Sequence, residues 1–182
     1  MAYNVKDVFY LDVSLGSGTG TGFGSAQLDL SAYIDPIARR GSKAQGLAIY
    51  KVQPTVTEGN SQVPGMNLDG SMRYGLIAGA GLGDVAVGGT ISAGATTVTA
   101  NNDLLVYAAD FYAETGVNYP MTNELVSPDK DVPYIVVRDN ACLVAEVNDA
   151  FATELVIGMR LSCAVITLDQ STLNQLLRTQ TV

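Results

Sequence analysis

Residues 154–168 read ELVIGMRLSCAVITL, and this stretch carries the strongest structural pattern in the chain. Its odd-numbered positions are mostly apolar, whereas its even-numbered positions include glutamate, glycine, arginine and serine. Because successive side chains of a β-strand point to opposite faces, this alternation predicts one long strand with a buried face. The residues expected on that face are Leu155, Ile157, Met159, Leu161, Cys163, Val165 and Thr167.

A similar pattern lies near the other end of the chain, in residues 5–15. Its apolar odd-numbered positions are Val5, Phe9, Leu11, Val13 and Leu15. The matched patterns predict that the two segments are adjacent and antiparallel in one sheet, with these odd-numbered residues facing the core.

Shorter stretches of strand character lie between these two segments, at residues 28–34, 47–53, 72–78, 104–112, 133–137 and 142–147. Three smaller pieces fall at residues 85–87, 90–92 and 96–99. Pro54 is expected to end a strand, and residues 116–133, which contain three prolines, are expected to form a long connection. At the end of the chain, Ser171 is expected to cap a short helix over residues 172–178.

Strands without interleaved helices indicate two packed sheets or a barrel. Long strands at both ends, with shorter ones between, favour an all-β single jelly-roll β-sandwich of about eight strands with a short C-terminal helix. Residues 1–182 are expected to form one domain, because this length is typical of a single core.

The composition argues against several classes of function. The formal net charge of −8 disfavours binding to a phosphate backbone, which needs clustered lysine and arginine. The chain contains no histidine, which excludes Ser-His-Asp and Cys-His catalysis and histidine-ligated metals. The glycine-rich residues 16–24 lack both the dinucleotide and the P-loop patterns and are expected to form a loop.

The nearest carboxylate pairs are Asp110 with Glu114 and Asp129 with Asp131. Neither pair has the pattern of a glycosidase site or of a calcium loop. We therefore predict no enzymatic activity, no catalytic residue, no cofactor and no metal site.

The basic residues Arg39, Arg40 and Lys43 lie within five positions of an otherwise acidic chain. They form either a solvated turn or a contact with acidic loops of a neighbouring subunit. Cys142 and Cys163 lie in apolar segments, which favours two buried thiols, with a single disulfide as the alternative. We expect neither a signal peptide nor a membrane span, because charged or polar residues interrupt each apolar run.

The all-β pattern, the acidic lysine-poor composition and the long last strand at residues 154–168 resemble the small single jelly-roll major capsid proteins of the sphaerolipovirus group. These belong to icosahedral, internal-membrane viruses of halophilic archaea and Thermus. The modest acidic content and the two cysteines depart from a strongly halophilic protein.

The resemblance implies a major capsid protein, located in the virion, that assembles with copies of itself and with a related capsid protein into capsomers. Penton or turret proteins and an underlying membrane are further implied partners, and no direct contact with nucleic acid is implied. The alternatives are a secreted or surface β-sandwich that binds sugar or protein, and another virion part such as a decoration or tail protein.

Overall fold

The computed structural model describes residues 8–35, 43–59, 69–79, 104–114 and 120–180. These residues form nine strands followed by one helix. The elements are β1 (Phe9–Gly16), β2 (Gly22–Asp29), β3 (Ala44–Glu58), β4 (Gly70–Ala78), β5 (Leu105–Ala113), β6 (Met121–Val126), β7 (Tyr134–Val136), β8 (Asn140–Asp149), β9 (Leu155–Leu168) and α1 (Gln170–Thr179).

The strands form two antiparallel sheets. Sheet A has the order β1-β9-β3-β7, and sheet B has the order β2-β8-β4-β5-β6. Four pairs, β1 with β9, β2 with β8, β3 with β7 and β4 with β5, are the rungs of one long antiparallel ribbon. The ribbon is rolled so that β9 also pairs with β3 and β8 also pairs with β4. This connectivity is a single jelly roll, to which β6 adds one strand, and it confirms the predicted fold class.

The predicted pairing of the two end segments is also confirmed. In the register of β1 and β9, Phe9 lies opposite Cys163 and Leu15 lies opposite Ile157. The largest buried cluster of the described residues lies between the two sheets, with Leu161 and Ile157 fully buried. The odd-numbered apolar residues of β1, from Phe9 to Leu15, pack against this core.

The alternation in β9 changes after Cys163. Val165 and Thr167 are exposed, so their predicted burial is wrong. Instead, Ile166 and Leu168 on the opposite face pack against the apolar residues of α1, which are Leu173, Leu176 and Leu177. The helix covers the outer face of sheet A at this end, so burial there moves to the even-numbered positions.

One residue, Asp169, separates the end of β9 from the start of α1. Its N-cap is Asp169, whose Oδ1 accepts a hydrogen bond from the backbone N–H of Thr172 at 2.7 Å. The prediction of Ser171 as the cap is therefore wrong, because the carboxylate two residues earlier satisfies a free N–H of the first turn.

Three other local predictions are corrected. Pro54 does not end a strand, because β3 continues to Glu58. After Ile49, β3 pairs with β9 on one side only. The other side of this part of β3 is an open edge, which tolerates a residue that has no N–H. The long connection at residues 116–133 contains β6, and the run at residues 28–34 leaves its strand after Asp29.

Several predicted features lie wholly or partly outside the described residues. They are residues 5–7 and the short pieces within 85–99. The glycine-rich residues 16–24 are described, and only residues 17–21 connect β1 to β2. Gly18 in this connection has a φ of +72°, a left-handed conformation that glycine adopts without steric conflict.

Both cysteines are buried and no disulfide joins them, as the favoured alternative predicts. Burial raises the pKa of the Cys163 thiol to about 12. Within the part of the chain that the structure describes, no helix combines the length and the apolar character needed to cross a bilayer.

The buried face of β9 can be tested by introducing a charge. We expect Leu161→Asp to prevent folding, because Leu161 is fully buried and an aspartate there has no partner. We expect Leu161→Ala to lower the free energy of unfolding by about 2–5 kcal/mol. The control is Thr167→Asp, at an exposed position of the same strand. Urea denaturation of the three variants measures the effect, and equal stabilities would contradict the face assignment.

Candidate functional site

The outer face of sheet A carries an exposed ion pair beside an exposed aromatic ring. Arg160 Nε lies 2.9 Å from Asp12 Oδ1, and both side chains are about 60% exposed. The guanidinium carbon of Arg160 lies 5.9 Å from the centre of the Tyr10 ring, which is within cation–π distance. Exposed pairs of this kind add little to folding, so their chemistry is available to a partner.

A shallow, open depression lies next to this ion pair. It has a volume of about 520 Å³, and Gly158 lies at its floor between Ser14 and Thr55 of the neighbouring strands. A Cβ atom at Gly158 would lie 2.7 Å from Thr55 Oγ1, so a larger residue there would displace the exposed Thr55 side chain. The depression is therefore a gap in the side-chain layer of a polar sheet face.

The outer face of sheet B carries a second ion pair, which is better shielded. Arg73 Nε lies 2.6 Å from Asp110 Oδ1, and Arg73 Nη2 lies 3.0 Å from Asp110 Oδ2. Asp110 is 7% exposed, and the Tyr112 hydroxyl also donates to it at 3.4 Å. The hydrogen bonds with Asp110 raise the pKa of Arg73 above its ordinary value. Such bidentate ion pairs fix the position of the guanidinium group.

Exposed apolar side chains lie close to this second pair. Tyr112 of β5 lies opposite Met121 of β6, and the two side chains are 50% and 68% exposed. Tyrosine, methionine and arginine are enriched at protein interfaces relative to other surfaces. The outer faces of both sheets therefore present side chains of the type that partners bind.

The predicted basic turn is only partly described. Arg39 and Arg40 lie outside the described residues, whereas Lys43 lies just before β3 and is exposed. The hydrogen bond from Thr172 lowers the pKa of Asp169, and the positive charge of Lys43 lowers it further. The role of Lys43 in an interface stays a prediction.

The predicted carboxylate pairs have structural explanations. The structure places Asp110 against Arg73, as described above, and not against Glu114. Asp129 Oδ1 accepts hydrogen bonds from the backbone N–H groups of Asp131 and Val132, at 2.6 and 2.9 Å. Asp129 therefore stabilises a turn. The described residues contain no cluster of three cysteine or acidic side chains that could hold a metal ion.

No protein-family model matches the chain, and no curated protein matches it in sequence. Among solved structures, the chain is similar to VP1 of Trichodysplasia spinulosa-associated polyomavirus in complex with GM1 oligosaccharide. The two share 8% sequence identity with a TM-score of 0.43, and the alignment covers 92% of this chain and 98% of that chain. Because both values are low, the assignment of the jelly roll rests on the strand connectivity described above.

Sequence reasoning missed the two ion pairs of the outer faces. Arg73 and Asp110 are 37 positions apart, and Asp12 and Arg160 are 148 positions apart. Both pairs form across neighbouring strands, so only the register brings them together. The one available signal was that Asp12 and Arg160 occupy outward positions of the two strands predicted to be adjacent.

The Arg73–Asp110 pair can be tested with a neutral variant. We expect Asp110→Asn to lower the free energy of unfolding by about 1–3 kcal/mol, because a partly buried charge-assisted contact is lost. Glu146→Gln is the matched control, since Glu146 lies opposite Arg73 on β8 and its loss removes the same charge. Equal effects of the two variants in thermal or urea denaturation would show that net charge, and not the paired geometry, is responsible.

Proposed function

We propose that this protein is a capsid protein that assembles into the icosahedral shell of a virus. The observation that carries the proposal is the strand connectivity. All four rungs of a single jelly roll are present, and the chain has no histidine with which a jelly-roll enzyme of the cupin kind would bind its metal. Capsid domains and lectin domains are the other common uses of this fold.

The distribution of contact residues favours a shell subunit over a binding module. A module that holds one sugar or one peptide needs a single recognition face. A shell subunit meets several neighbours at once and needs contact residues on more than one side. Here Tyr10 with Arg160 lies on the outer face of sheet A, whereas Tyr112 with Met121 lies on the outer face of sheet B.

The finer parts of the proposal come from the resemblance to the sphaerolipovirus group. They are a second, related capsid protein in the same capsomer, contacts with penton or turret proteins, an internal membrane beneath the shell and a location in the virion. The acidic net charge agrees with a subunit that does not bind nucleic acid directly.

The assembly of the purified chain tests the proposal. We expect light scattering and electron microscopy to show capsomer-sized rings or larger shells at high protein concentration. We expect Tyr10→Ser and Tyr112→Ser each to weaken assembly at least tenfold in critical concentration. Val132→Ser, which removes an exposed apolar side chain between β6 and β7, is the control and should assemble normally. A chain that remains monomeric and binds a saccharide would contradict the capsid role and support the binding module.

The basic turn gives a separate test of how subunits meet. If Arg39, Arg40 and Lys43 contact acidic loops of a neighbour, reversing all three to glutamate should weaken assembly most at low salt. A salt series from about 50 to 500 mM, followed by sedimentation, measures this effect. Assembly that is unaltered across the series would rule out the contact but would leave the shell role standing.

A further inference from the structure

The edge of β7 that faces away from β3 is hydrogen-bonded by a side chain of the same protein. On one side β7 pairs with β3, with Val136 opposite Leu47. On the other side lies the side-chain amide of Gln180, the residue that directly follows α1. Its Nε2 donates to the carbonyl oxygen of Ile135 at 2.6 Å, and its Oε1 accepts from the N–H of Val137 at 3.2 Å.

The two bonds engage the groups that a further strand would use. Along an edge, alternate residues direct their N–H and C=O groups towards opposite sides, so Ile135 and Val137 face away from β3 when Val136 faces it. A side-chain amide carries both an NH2 donor group and a carbonyl acceptor, so it can satisfy both backbone groups. Gln180 is 3% exposed, so its amide is held in a buried position.

The apolar contacts of α1 fix the amide in place. Leu173 is buried and packs with Val137, Leu168 and Ala44. The backbone N–H of Gln180 also bonds to the carbonyl of Leu176, which ends the helix at this position. The helix therefore delivers Gln180 to β7 through the same apolar cluster that holds the helix on sheet A.

We propose that Gln180 guards the β7 edge against the addition of an extended strand from a second copy of this chain. An unpaired edge is a template for pairing with another chain, and proteins protect such edges. Two other open stretches carry such protection. The part of β3 beyond Ile49 contains Lys51 and Pro54, and β6 has a bulge and an exposed Glu124 on the same face as the core residue Ala109. In the described residues, Gln180 is the group that occupies the edge of β7.

The strand that Gln180 keeps away is one from a second copy, because every copy carries the same short edge and copies meet at high concentration during expression or assembly. The inference concerns the isolated subunit and does not depend on the shell role. The test therefore uses the full chain with Tyr10→Ser and Tyr112→Ser, so that the proposed shell contacts do not contribute.

In that background, Gln180→Ala should increase amide exchange at Val137 at least tenfold, measured by NMR. It should also give concentration-dependent association in sedimentation velocity. Gln175→Ala, at an exposed position of the same helix, is the control and should change neither measurement. Gln180→Glu keeps the acceptor for Val137 but loses the donor to Ile135, so it should associate while retaining most of the protection at Val137.

Each result decides the proposal. Fast exchange at Val137 in Gln180→Ala, without association up to about millimolar protein, would contradict the proposal. The edge would then be open, and yet no second copy would add a strand to it. Unchanged exchange would overturn the hydrogen-bonded cap itself. Circular dichroism shows whether α1 remains folded in each variant. If Gln180→Ala unfolds α1, only the Gln180→Glu result is used. A Gln180→Glu chain that stays monomeric with α1 intact would overturn the proposal.

Discussion

The pairing of β9 with both β1 and β3 is the constraint on which the rest of the structure depends. Over most of its length, β9 is hydrogen-bonded on both sides, and its inward side chains lie in the middle of the core. Its register sets the position of β1 and of β3, and through β3 that of β7. The same register aligns Arg160 with Asp12, and Leu168 with Ala44 next to the start of α1. The contact residues of sheet A and the position of the helix therefore follow from one strand.

The strand pairing that the sequence predicted is the one in which each strand has one face in the core and the other face in solvent. The strands β1 and β9 meet this condition, and the pattern gave their pairing as well as their type. The strand β6 does not, because five of its six residues are exposed and show no alternation. The prediction that Pro54 ends a strand failed for a related reason. A proline is compatible with an open edge, but the sequence does not show which strands are edges.

The candidate contact residues were beyond sequence reasoning because they depend on register between distant strands. Nothing local distinguishes Arg73 from any other exposed arginine, yet in the structure a buried carboxylate holds it in one orientation beside Tyr112. Gln180 is a similar case, since a polar residue at a helix end is normally solvated. Its burial follows from how α1 docks, which the apolar stripe of the helix indicates only in part.

The rungs of the rolled ribbon join segments at very different separations along the chain. The rung between β4 and β5 joins residues that are close in sequence, as the 37 positions between Arg73 and Asp110 illustrate. The rung between β1 and β9 closes 148 positions, measured from Asp12 to Arg160. Chain entropy opposes contacts between distant segments, and folds dominated by them form in milliseconds to seconds. The pairing that organises the finished sheet is thus the one with the largest loop to close, and until it forms the inward face of β9 lacks its neighbour on one side.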